Sequence, residues 1–126
     1  MRTEKEIAII VEDEEDICWA LERILREKGV FARKAISGYE ALGWIKTKNF
    51  RLAILDAMLP DIDGLELAKR IRKLAPDIHI VMISGYFYRH DPAVQKALKS
   101  DLICSFVGKP FLHDEIRAAV KVANMY

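Results

Sequence analysis

The chain has 126 residues, 52% of them hydrophobic and 31% charged, with a formal net charge of +1. That is enough for one domain with a single core and too short for two, and the near-neutral charge gives no field to gather nucleic acid or an anionic membrane. No apolar stretch approaches the roughly 18 residues of a membrane helix, the start Met1-Arg2-Thr3-Glu4-Lys5-Glu6 is too charged for a signal peptide, and Cys18 and Cys104 stand in no metal or redox spacing, so a cytoplasmic protein with two buried thiols is expected.

Taken in chain order, the first element is an apolar run, Ile7 to Val11, that ends on Glu12-Asp13. From Glu14 to Lys28, Ile17, Leu21, Ile24, Leu25 and Lys28 recur at helical spacing, with acids at the start and Gly29 at the C-terminal cap. Val30 to Ile36 is a more polar strand, suited to a sheet edge, and Ser37-Gly38-Tyr39-Glu40 is a capping-box pattern opening a helix with Ala41, Leu42, Trp44 and Ile45. Leu52 to Leu55 is a strand running into Asp56, followed by a loop rich in turn formers, Ala57 to Gly64. The next helix turns Leu65, Ala68, Ile71 and Leu74 inward and ends before Pro76. A strand from Ile78 to Ile83 runs into Ser84, a loop spans Gly85 to Asp91, and a short helix starts near Pro92. Phe106 to Gly108 is the last strand and leads into Lys109-Pro110. The final helix, from Phe111, turns Leu112, Ile116, Ala119, Val120 and Ala123 inward. Trp19 and Trp44, both on helices, are expected to serve packing.

Short branched apolar runs alternating with amphipathic helices predict a five-stranded doubly wound parallel α/β sheet with helices on both faces. In such sheets the ligand crevice lies outside the carboxyl ends of the strands. Glu12, Asp13, Asp56, Ser84 and Lys109 all fall at those ends. Three carboxylates about 4–5 Å apart repel by roughly 3–4 kcal/mol per pair at an effective dielectric near 20, so the cluster calls for a cation. A hard divalent ion such as Mg²⁺ (or Mn²⁺) answers it, and Lys109 adds a fixed charge. In that setting an aspartate can attack a phosphoryl group to give an acyl phosphate. Asp61-Ile62-Asp63-Gly64 is not a calcium loop, because Leu59 and Arg70 occupy the first and last ligand positions. His79, His90 and His113 make no ligand spacing, and no glycine-rich phosphate loop is present.

Val11-Glu12-Asp13-Glu14, the run Leu55 to Gly64, Ile83-Ser84-Gly85 and the run Phe106 to Phe111 together resemble the receiver domain of two-component response regulators, over essentially the whole chain. The resemblance implies a flavodoxin-like sheet of order 2-1-3-4-5 and a single receiver over residues 1–126, a signalling switch rather than an enzyme with turnover. It implies Asp56 as phosphoacceptor, Glu12, Asp13, Asp56 and the Met58 backbone carbonyl around the metal, Lys109 as counter-ion, and Ser84 with Phe106 as the switch pair. The implied partners are a sensor histidine kinase or histidine phosphotransfer protein, an output domain or effector met through the fourth-helix face, and a homodimer. Met58 and Tyr86, two residues after Asp56 and Ser84, border the path of an attacking water and are expected to set the phosphoryl lifetime. A degenerate receiver acting only as an interaction module would lack an acid, hydroxyl or lysine position, and none is missing. A small-molecule phosphohydrolase would want an acid where Met58 stands. Two departures flank the fourth helix: a long loop carrying Tyr86-Phe87-Tyr88, and Lys99 to Cys104 without the family's frequent Gly-Ala.

Overall fold

The computed structural model describes residues 5–87 and 89–122. Expectations for Met1 to Glu4, Tyr88 and Ala123 lie outside the described residues. Among the described residues ten elements alternate: β1 Glu6–Val11, α1 Glu15–Glu27, β2 Phe31–Ala35, α2 Gly38–Thr47, β3 Leu52–Asp56, α3 Gly64–Leu74, β4 His79–Ser84, α4 Pro92–Lys99, β5 Ser105–Gly108 and α5 His113–Val122. All strands are parallel, in the order β2-β1-β3-β4-β5. The doubly wound sheet is therefore as expected, with the polar β2 at an edge.

The period of two along each strand divides the core into two layers. Ile9, Val11, Leu55, Met82 and Phe106 pack with α2, α3 and α4 on one face. Ala8, Ile10, Ile54, Val81 and Val107 pack with α1 and α5 on the other. Each fully buried leucine or isoleucine in these layers contributes about 1.5–3 kcal/mol relative to exposure. The helix ends follow local chemistry. Gly29, at φ +76, takes the left-handed position after α1, and Asp91 accepts from the Ala93 N–H ahead of Pro92. After α4, Asp101 takes the left-handed position at φ 59, which a short aspartate tolerates where glycine is more usual.

Several expectations shift. β2 stops at Ala35, and Ile36 is exposed. The α2 cap forms through Ser37 Oγ, which accepts from the Glu40 N–H, but Glu40 reaches back to the Ile36 N–H rather than to Ser37. Leu74, expected inside, is 45% exposed because it is the last residue of α3, past the edge of the sheet. Leu112 is 71% exposed, since α5 starts only at His113 and Leu112 sits ahead of its amphipathic face. Lys28 caps α1 and is exposed rather than inward. Trp19 is exposed with Arg23 stacked over its ring, whereas Trp44 is half-buried beneath Arg33. Arg72 has a role its sequence gave no sign of: it donates to the carbonyls of Pro76 (2.9 Å), Ile78 and Leu102 (2.8 Å), tying the end of α3 to the segments that lead into β4 and β5.

Candidate functional site

Strand register brings the expected residues to one edge. Val11 pairs with Leu55, so Glu12 stands level with Asp56; Asp56 pairs with Ile83, and Ser84 with Gly108, just before Lys109. Period-two alternation places Glu12, Asp56 and Lys109 on the α1/α5 side of the sheet, and Ser84 and Phe106 on the α2–α4 side. The carboxylates and the ammonium thus form one group, and Ser84 and Phe106 form another just across the sheet.

Glu12, Asp13 and Asp56 each offer a carboxylate oxygen, and these oxygens lie within 4.8 Å of one another. Lys109 Nζ stands 2.8 Å from Glu12 Oε1 and 3.1 Å from Asp56 Oδ2, with Glu14 Oε1 farther off at 3.6 Å. Asp56 is only 4% exposed; its Oδ2 accepts from Lys109 and its Oδ1 from the Met58 N–H at 3.1 Å. Glu12 is 1% exposed, and its Oε2 accepts from the Glu14 N–H at 3.2 Å. Its other oxygen, Oε1, touches Lys109 as an ion pair but lacks the alignment of a hydrogen bond. Burial, with Asp56 adding and Lys109 opposing, raises the Glu12 carboxyl from 4.5 to about 7. Burial works against the Lys109 charge as well, but Glu12 and Asp56 outweigh it and the lysine pKa is raised.

The donor set fits a hard divalent cation. It is all oxygen and carboxylate-rich, and open to solvent at Asp13. Ser84 is buried, and its Oγ accepts from the N–H groups of Tyr86 and Phe87, both at 2.9 Å, leaving its own proton to donate. Phe106 is buried in the α2–α4 layer. Met58 and Tyr86 are both exposed. The sequence pattern missed Glu14 and Arg89. The acidic run Glu12 to Glu15 was a signal for the first. The second, which donates from Nη2 to the Phe106 carbonyl at 2.8 Å across the sheet edge, left none.

Comparison with known proteins agrees with this geometry: the family model described as the response regulator receiver domain matches residues 8–121. The chain belongs to that family. The receiver is 31% identical over 114 residues to the transcriptional regulatory protein DltR of Streptococcus agalactiae, covering 90% of this chain and 50% of that protein. It therefore spans half the length of that relative. Among solved structures, a CheY-like receiver domain protein from Methanospirillum hungatei matches with a TM-score of 0.82 at 26% identity, covering 92% of this chain and 90% of that one. A response regulator from Burkholderia pseudomallei, solved with a phosphorylated aspartic acid, calcium ion and citrate, matches with a TM-score of 0.78 at 26% identity, covering 91% of this chain and 66% of that one. No helix among the described residues of the receiver is long and apolar enough to cross a membrane.

Proposed function

We propose that this receiver, taken as one domain over residues 1–126, is a phosphorylation-driven switch. Asp56 takes a phosphoryl group from a phosphohistidine on a sensor histidine kinase or histidine phosphotransfer protein. An Asp56 carboxylate oxygen attacks phosphorus, the phosphorus–nitrogen bond breaks, and its electron pair returns to the imidazole, leaving an acyl phosphate. Such a transfer asks for alignment and charge neutralisation more than for acid–base groups. One observation carries the reading: Asp56 is buried beside two further carboxylates with each of its oxygens held, one by the Met58 amide and one by Lys109.

Glu12, Asp13, Asp56 and the Met58 carbonyl would hold Mg²⁺ or Mn²⁺, which supplies the second positive charge facing the phosphoryl oxygens. Lys109 neutralises from the other side, and the Ser84 hydroxyl donates to a phosphoryl oxygen. The phosphorylated aspartic acid and calcium ion of the Burkholderia regulator support this reading. The transcriptional role named for DltR supports an output domain or effector as the receiver's downstream partner, for which we propose the α4 face as the contact. Met58, where a phosphohydrolase would want an acid, argues for slow self-dephosphorylation rather than turnover of a small molecule.

Acetyl phosphate with Mg²⁺ should add the mass of one phosphoryl group to the intact wild type and none to Asp56→Asn. That variant removes the nucleophile and relieves carboxylate repulsion, so it stays folded. Equal labelling of the variant, or a wild type that takes up nothing, would contradict the assignment.

A further inference from the structure

The loop between Asp56 and α3 is fastened to a helix outside the acidic cluster. Asp61 reaches from the loop to the start of α2, where Oδ1 accepts from the Gly38 N–H and Oδ2 from the Tyr39 N–H, each at 2.9 Å. Those amides lack an intrahelical acceptor and lie at the positive end of the helix dipole, where a carboxylate is favoured. Yet α2 already carries its own cap, through Ser37 Oγ to the Glu40 N–H (3.2 Å) and Glu40 Oε1 to the Ile36 N–H (2.9 Å). The Asp61 bonds therefore add less to the helix start than to the loop. The next residue, Ile62, places its Cγ2 methyl where a β-carbon on Gly38 would have to go, so the close approach requires glycine there.

The rest of the loop shows what this contact secures. At one end the Met58 N–H donates to Asp56 Oδ1, and Met58 bridges to Asp63. At the other, Asp63 caps α3, and Gly64 lies so close that a β-carbon would come within 2.6 Å of Ala57 Cα and 2.7 Å of the Asp56 carbonyl oxygen. Between these anchors, Leu59 and Ile62 pack against the core, and Asp61 adds the polar tie from the middle of the loop to α2. We propose that Asp61 is a positioning residue for the phosphoacceptor: its clasp onto α2 fixes Met58, whose amide orients Asp56 and whose carbonyl would face the metal. This rests on the reading of Asp56 and its neighbours as a metal-dependent phosphoacceptor site. Small displacements of such groups are costly, because transfer depends on near-attack geometry.

The test uses the whole chain and three readouts: amide exchange at Met58, the Mg²⁺ dissociation constant by calorimetry, and the rate of labelling by acetyl phosphate at saturating Mg²⁺. Asp61→Ala should speed Met58 exchange and weaken Mg²⁺ binding, each about tenfold (about 1.4 kcal/mol), and should slow labelling several-fold even at saturating Mg²⁺, because the Met58 amide no longer holds Asp56 in line. Gly38→Ala should do the same by displacing Ile62, although alanine is the better helix former. Asp61→Asn, which keeps one acceptor oxygen, should recover part of the metal affinity. Glu40→Ala removes the Glu40 side-chain half of the local cap, the bond to the Ile36 N–H, and should lower the melting temperature without changing either Met58 exchange or Mg²⁺ affinity. An Asp61→Ala protein that binds Mg²⁺ like the wild type, or a Glu40→Ala protein equally impaired, would reduce Asp61 to a structural cap and overturn the proposal. A wild type indifferent to Mg²⁺ would sink the metal site and the positioning role together.

Discussion

Glu12 is where pH acts on this site. Its folded-state pKa of about 7 lies above the ordinary 4.5 because burial disfavours the charged form. The folded protein thus holds this proton more tightly than the unfolded chain. The resulting stabilisation is complete below about 4.5 and is lost as pH rises through about 7. On the proposed reading, Mg²⁺ would compete for the same carboxylate and bind only the assembled cluster. The rise in melting temperature with Mg²⁺ should therefore be small on the acid side of about 7 and grow as pH climbs through it. Glu12→Gln should flatten that dependence; a Mg²⁺ response equal on both sides would take Glu12 out of the metal site. Met58 sets a second residue-scale expectation. Its exposed side chain lies two residues past Asp56 and has no group to orient a water in line with a phosphoryl group. Met58→Asn should speed phosphoryl decay about tenfold, which needs only about 1.4 kcal/mol and is within reach of one well-placed hydrogen bond. Decay at the wild-type rate, measured at saturating Mg²⁺, would remove Met58 from control of the lifetime.

At the scale of elements, the proposed switch would couple the site to α4 through β4 and β5. Ser84 and Phe106 share a face of the sheet, and Met82, two residues before Ser84, pairs with Phe106. If Ser84 turns toward a phosphoryl group it must give up the Tyr86 and Phe87 amides it now accepts from. Each lost bond is worth about 1 kcal/mol, or roughly fivefold in opening. With beryllofluoride and Mg²⁺, amide exchange at Tyr86, Phe87 and the first turn of α4 should rise by about that factor, while the Trp44 turn of α2 stays unchanged. A change confined to the loop after Asp56 would count against this coupling. The elements were legible in the sequence because strands buried on both faces leave unbroken branched runs, and because Ser37, Gly29 and Pro92 mark helix ends by local chemistry. Leu74 and Leu112 misled because helical spacing alone does not show where a helix begins or ends: Leu74 is the last residue of α3 and Leu112 stands just before α5.

For the whole molecule, the candidate site could be read from sequence because parallel topology delivers every strand's carboxyl end to one edge. Glu12, Asp13, Asp56 and Lys109 needed no knowledge of side-chain contacts to be grouped, only the order of the strands. The supporting contacts were not legible. Asp61 on the Gly38 and Tyr39 amides, Arg72 on the Leu102 carbonyl and Arg89 on the Phe106 carbonyl join segments 17 to 30 residues apart, with no periodicity or motif to announce them. They depend on how α2, α3 and α4 settle on the sheet, which is a property of the packed molecule. The central claim, that this edge makes Asp56 an acyl-phosphate acceptor, is tested most directly by the chemistry of the linkage. Borohydride reduces an acyl phosphate to the alcohol with release of phosphate, so after acetyl phosphate and Mg²⁺ treatment, peptide mass mapping should find residue 56 converted to homoserine. Conversion at Asp13 or Asp61 instead, or a borohydride-resistant phosphate on Ser84, would contradict it.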